Sequence, residues 1–146
     1  MQVTARADYA LRAATVLATS GPGPVKSEAI AAAEGIPLRF LHNILAALTR
    51  AGILSSLRGA DGGYELTRLP ERITVADVIR AVEGPFAAGG DPDGATRTRR
   101  GGDEALRAVW AVLRANERAV LESVTLADLA RGRLPDLSSV VRATGA

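Results

Sequence analysis

The chain has 146 residues, close to half of them hydrophobic, enough to bury one core in a single domain with an appendage. Its formal net charge is only +2, so the basic pI of about 9.7 is weak evidence for a polyanionic partner. With no cysteine there is no disulfide framework and no thiolate metal site. No apolar run approaches the length of a membrane span and the N-terminus lacks the pattern of a secretory leader, so a cytoplasmic protein is expected.

Thr4 is placed to cap a first helix, whose apolar stripe is Ala7, Ala10, Leu11, Ala14, Leu17 and Ala18 and which ends near Ser20. Gly21-Pro22-Gly23-Pro24 breaks it. Val25 reads as a short edge strand. Ser27 reads as the cap of a second helix over 28–34 that turns Ala29, Ile30 and Ala33 inward, and Gly35 as the tight turn after it. Pro37 fits the first turn of a third helix over 37–51, where its missing N–H has no intrahelical partner to lose. Leu41, Ile44, Leu45 and Leu48 follow at helical spacing, and Gly52 ends the run.

Ile53 to Leu57 and Tyr64 to Thr67 read as paired strands. Between them Arg58-Gly59-Ala60-Asp61-Gly62-Gly63 forms a tip, with three glycines to supply positive φ. Helix, turn, helix and hairpin in this order predict a winged helix-turn-helix, in which the second helix of the pair enters a major groove.

Beyond the hairpin, Pro70-Glu71-Arg72 is a turn, and Thr74 with Asp77 resembles a capping box for a fourth helix burying Val75, Val78, Ile79 and Val82. Gly84-Pro85 ends it. Residues 85–102 are glycine-, aspartate- and arginine-rich and are expected to form a flexible loop. Asp103 is expected to cap a long amphipathic helix carrying Leu106, Val109, Trp110, Leu113, Val120, Leu121 and Val124. Such a helix has no evident partner in its own chain. Pairing with a second copy would cover it, the alternative being that it folds back on its own domain. Leu126 to Leu129 suggests a short turn, and residues 132–146 a loosely ordered tail. The expected organisation is thus a winged domain over 1–84, a loop over 85–102, a dimerisation region over 103–131 and a tail.

Between Gly35 and Ala60 there are three arginines, Arg39, Arg50 and Arg58, and no acid. Two readings stand: a phosphate-contacting face, or an ordinary solvated one.

Several stretches, in one order, resemble a known family. They are Ala5-Arg6-Ala7-Asp8-Tyr9-Ala10-Leu11-Arg12-Ala13, then Ala51-Gly52-Ile53-Leu54 leading to Arg58-Gly59, and Gly62-Gly63-Tyr64. Ile73-Thr74-Val75-Ala76-Asp77-Val78-Ile79-Arg80-Ala81-Val82-Glu83-Gly84 and Thr125-Leu126-Ala127-Asp128-Leu129 complete the set. The chain resembles the Rrf-type bacterial regulators, the group that includes IscR, NsrR and CymR. The resemblance implies a mainly helical, dimeric winged-helix transcription regulator, with the long C-terminal helix building the dimer and double-stranded DNA as partner. It places Pro37, Arg39, Phe40 and Asn43 where the family's recognition helix meets DNA, and Arg58 and Gly59 at the wing.

Chemistry separates the jobs of these residues. Arg39 could pair with a guanine edge and Asn43 with adenine. Phe40 reads better as a core anchor than as a base contact. Arg58 could enter a minor groove or meet phosphate. Arg50 is a phosphate contact or merely exposed, and His42 a DNA-facing or solvent residue.

Iron–sulfur members of the family place three cysteines in the loop after the fourth helix. This chain has none, so a cysteine-ligated cluster is excluded and no cofactor is expected. Asp8 stands where one branch has a carboxylate ligand, but a carboxylate alone holds no cluster; it reads as a first-turn acid favoured by the helix dipole. A lone histidine makes no metal site. A signal could reach the protein as a small molecule, with Trp110 lining a pocket between the winged domain and the long helix, or as a partner protein, or the protein could be an unregulated repressor; Trp110 reads better as dimer core.

Catalysis is not expected. The glycine-rich tip is followed by neither Lys-Ser nor Lys-Thr nor a helix start, and no Ser/His/Asp set can form around a histidine on the recognition helix. A winged helix turned to protein binding is the alternative. The acid-free arginine face favours DNA.

Overall fold

The structure is a computed structural model and describes residues 2–84 and 103–145. The loop expected over 85–102 lies outside them. The molecule is mainly helical with one two-stranded antiparallel hairpin.

Helix α1 (Ala5–Thr19) starts where Thr4 Oγ1 accepts the Ala7 N–H at 3.0 Å. Asp8 lies in its first turn, favoured by the helix dipole, and pairs with Arg12 at 2.9 Å. The buried face of α1 is almost all alanine: Ala7, Ala10, Ala13 and Ala14. Such small side chains let neighbouring helices approach closely, and α1 lies at the centre, against α2 (Ser27–Glu34), α3 (Leu38–Arg50), α4 (Val75–Glu83) and α6 (Leu126–Arg131). Leu41, Ile44, Leu45 and Leu48 of α3 are fully buried in the core that α1 organises.

Helix α3 ends in a Schellman motif. Gly52 N–H bonds the Thr49 carbonyl and Ile53 N–H the Leu48 carbonyl, both at 3.0 Å. The chain therefore turns directly into β1 (Leu54–Leu57), which pairs with β2 (Gly63–Leu66) with Leu54 opposite Leu66 and Leu57 opposite Gly63. Val25 exchanges two hydrogen bonds of 2.8 Å with Tyr64 and adds a one-residue third strand. Gly62 and Gly63 are required by contact. A Cβ on Gly62 would lie 2.2 Å from the Leu57 carbonyl oxygen, and one on Gly63 would lie 2.5 Å from that of Val25.

Both members of the capping box at α4 are present: Asp77 N–H to Thr74 Oγ1 at 3.0 Å, and Thr74 N–H to the Asp77 carboxylate at 2.9 Å. Thr125 and Asp128 repeat the device at α6. The two caps meet: Val75 N–H bonds the Val124 carbonyl and Leu126 N–H the Ile73 carbonyl, each at 2.9 Å. Leu126 is fully buried in the same core as Leu41 and Ile73. The core is therefore completed by residues from beyond the boundary expected at 84.

Several expectations change. Ser27 is the first residue of α2, not its cap, and Ala29 and Ala33 are exposed, leaving Ile30 as the buried anchor. Pro37 is the N-cap residue of α3. Ile79 is only half-buried. The long helix α5 (Asp103–Ser123) begins at Asp103 itself. The segment after Pro135 is a helix, α7 (Leu137–Thr144), where a loose tail was expected. The Asp136 carboxylate caps it through Ser138 and Ser139 N–H, and Thr144 hydrogen-bonds Asn116 as α7 packs along α5.

Candidate nucleic-acid interface

With Leu41, Ile44, Leu45 and Leu48 turned inward, the 3.6-residue period puts Arg39, His42, Asn43, Ala46 and Arg50 along the opposite side of α3. Arg39, His42, Asn43 and Arg50 are exposed, so the outer face of α3 is polar and cationic along its length. Phe40 projects from the flank of this stripe. It is 63% exposed, which overturns its reading as a core anchor: the core-facing arc is already filled by the four aliphatic residues. Leu38 borders the other flank. Pro37 begins the helix and is exposed.

The wing is held at a defined place relative to this helix. Thr67 donates its hydroxyl to the Gly52 carbonyl at 2.6 Å and its N–H to the Ile53 carbonyl at 3.0 Å, tying the end of β2 to the end of α3. Arg58 and Gly59 are exposed at the tip, and Gly59, with φ of 105°, accepts a hydrogen bond from Gly62 N–H at 3.0 Å.

The arginines differ in their surroundings, and among the described residues Arg6, Arg72, Arg114 and Arg133, like those of α3 and the wing, have no carboxylate at ion-pair distance. Arg12, Arg68, Arg80, Arg131 and Arg142 each face a carboxylate. Arg39, Arg50 and Arg58 have no acid within ion-pair distance among the described residues. An uncompensated cationic face next to a projecting hairpin suits a polyanion.

His42 is anchored in a way that sequence reading missed. Its Nε2 lies 3.2 Å from the hydroxyl of Ser27, which is 8% exposed, and that hydroxyl also reaches Glu28 at 3.3 Å. The Glu28 carboxyl is held below its usual value, first by its own backbone N–H, which outweighs the opposing cost of burial, and further by Ser27, His42 and Lys26. The contact arises from the crossing of α2 over α3. No spacing within either helix announces it.

Helix α5 presents a different surface. Leu106, Val109, Trp110 and Leu113 share one face, and Trp110 and Leu113 are 47% and 52% exposed. Farther along, Val120 and Leu121 are half-buried and Val124 is buried, because α4 and α7 cover that end; Arg80 of α4 pairs with Glu122. Trp110 lines an open groove of about 470 Å³ whose lining, among the described residues, comes from α5. A groove between the winged unit and α5, of about 270 Å³, is lined by Thr4, Ala7, Ile79 and Glu83 on one side and Glu117 and Leu121 on the other.

The described residues contain no group of three or more histidine, aspartate or glutamate side chains placed to hold a metal ion. The whole sequence offers no thiolate. The donor set does not fit an iron–sulfur cluster. No described helix is long and apolar enough to cross a membrane.

A helix-turn-helix whose second helix runs into a two-stranded wing defines a winged-helix protein, and the comparisons give its family. The Rrf2 family, described as an iron-dependent transcriptional regulator, matches residues 3–132, and the chain belongs to it. It is 45% identical over 137 residues to Rv1287 of Mycobacterium tuberculosis, whose name places it among HTH-type transcriptional regulators; the match covers 93% of this chain and 85% of that one. It is 33% identical to the HTH-type transcriptional regulator CymR of Bacillus subtilis over 89% of this chain and 90% of that one. The solved structure of the B. subtilis CymR, the global cysteine regulator, superposes with a TM-score of 0.78 over 90% of this chain and 98% of that one at 32% identity. The T. potens IscR structure superposes with a TM-score of 0.73 at 32% identity, over 90% and 88%. The family, the absence of cluster-ligating cysteines and the winged-helix fold agree with the sequence reading.

Proposed function

We propose that this protein is a cytoplasmic, homodimeric repressor that binds a palindromic operator through α3 and the wing, without an iron–sulfur cluster. The observation that carries the reading is the outer face of α3, where Arg39 and Arg50 stand exposed without a carboxylate partner among the described residues, with Asn43 exposed on the same face and Arg58 at the tip of the wing. Arg39 is of the type that donates two hydrogen bonds to guanine O6 and N7, and Asn43 of the type that pairs with adenine N6 and N7. Arg50 and Arg58 meet phosphates and set the register of the helix in its groove. The exposed apolar face of α5 is the dimer contact. A twofold dimer presents two identical reading heads and so favours an operator with matching half-sites. Repression follows where the operator overlaps a promoter.

The test is a gel-shift of the purified, metal-free protein against its own promoter region at physiological salt. Specific binding without any cofactor supports the reading. Binding that is salt-sensitive and indifferent to sequence, or no binding, rejects a cofactor-independent operator binder in favour of a regulator that requires an effector or a winged helix turned to a protein partner.

A further inference from the structure

The geometry points to Ser27 as a positioning residue for DNA reading: we infer that it holds His42 as a hydrogen-bond acceptor on the outer face of α3. The inference rests on the reading of that face as the one that meets the bases.

Ser27 begins α2 and is buried, yet its hydroxyl has two polar neighbours, Glu28 Oε2 at 3.3 Å and His42 Nε2 at 3.2 Å. A hydroxyl has one proton to give. An ionised carboxylate can only accept, and the Glu28 carboxyl is held low first by its own backbone N–H and also by the nearby Lys26 ammonium, so it stays ionised beside a neutral His42. Ser27 therefore donates to Glu28, and its remaining lone pair receives the proton on His42 Nε2. In a neutral imidazole only one nitrogen carries a proton, so Nδ1 is left bare, an acceptor on an exposed side chain.

An acceptor at this place has a defined preference. In the major groove cytosine N4 and adenine N6 are donors, whereas guanine O6 and N7 and thymine O4 are acceptors. His42 held this way selects a base with an exocyclic amine facing it and disfavours guanine. An untethered histidine on the same stripe could rotate, exchange its ring proton between nitrogens and tolerate either class. Ser27 and Glu28 touch no base in this arrangement; they set which bases His42 accepts.

His42 is the only histidine in the chain, so a long-range 1H–15N spectrum of the full-length protein contains one pair of ring nitrogens. At mildly alkaline pH, where imidazoles are neutral, the protonated nitrogen is expected to be Nε2. Glu28→Ala frees the Ser27 proton to point at His42 and is expected to move the ring toward the Nδ1–H form. In binding to a set of operator variants, the native protein is expected to favour adenine or cytosine over guanine by about tenfold at one position in each half-site. Ser27→Ala is expected to flatten that preference and Ser27→Thr, which keeps the hydroxyl, to restore it. Glu28 is exposed, so its variant reports even if Ser27→Ala disturbs folding. An Nδ1–H ring in the native protein overturns the inference, as does specific operator binding whose preference is the same in Ser27→Ala and Glu28→Ala. An Nε2–H ring in a protein that recognises no operator instead removes the DNA-reading role itself, and the inference with it.

Discussion

Helices α3 and α5 are both amphipathic, but they are finished differently. The apolar side of α3 is consumed by its own chain: Leu41, Ile44, Leu45 and Leu48 have no surface left, and what faces outward is polar and cationic. The apolar side of α5 is half spent. Val124 is buried by the winged unit, while Leu106, Val109, Trp110 and Leu113 face outward with about half of their surface in water. Each helix thus advertises what it lacks. One lacks a polyanion to neutralise unpaired arginines, and the other an apolar surface to exclude water.

The sharpest way to break this contrast is Leu113→Asp, which places a carboxylate in the proposed twofold contact. It is expected to weaken self-association by about 3 kcal/mol, roughly a hundredfold, as measured by sedimentation equilibrium, with the fold of each chain retained. Leu45→Ala acts on the helix whose apolar side is already closed. A loss of about 2–5 kcal/mol in denaturant unfolding is expected, because the cavity cannot be relieved by a partner. Arg39→Ala should leave stability unchanged and cost about 1–3 kcal/mol at its cognate base while relaxing the preference there, read by competition among operator variants. Arg58→Ala should weaken binding to all sequences alike and reduce the slope of log affinity against log salt by about one unit.

The smallest effect expected is one of pH. The Asp136 carboxyl is held below its usual value, first by the Ser138 hydroxyl and then by backbone N–H of the same turn. A lowered value in the fold means that the cap is at full strength above the ordinary aspartate range and is lost as pH falls through the lowered one. The protection of the Ser138 and Ser139 amides against exchange, relative to their intrinsic rates, should therefore fall as the pH drops below the ordinary aspartate range, while that of α3, which has no acid in its first turn, does not.

Much of the reading unit was legible because its signals are local. The Thr74–Asp77 box, the alternation of Leu41, Ile44, Leu45 and Leu48, and Gly52 after the last apolar residue each act within one turn of chain. The misreadings share a different cause. Residue type alone turns Phe40 inward, yet four aliphatic neighbours already fill the inward arc. Ala29 and Ala33 were assigned inward on apolarity, but a methyl group commits little area to either side. Helix α7 combines two serines with adjacent valines, which favour helix weakly, and it is held by lying along α5, a contact no window of sequence contains. Its cap, Asp136, was readable. So was the Thr125–Asp128 box, which has the spacing recognised at Thr74. The bond between Ser27 and His42 was out of reach, since it exists only where two helices cross.

The hydrogen-bonded meeting of Ile73–Val75 with Val124–Leu126 makes the winged unit a discontinuous stretch of chain, closed like a ring by its clasp. Everything from the end of α4 to the end of α5 is in this sense an insertion between two halves of one core. A fragment cut at residue 84 would lose Val124 and Leu126 and expose the apolar surface they cover. The same closure fastens the C-terminal end of α5 to the winged unit by backbone hydrogen bonds, an abutment and not a tether.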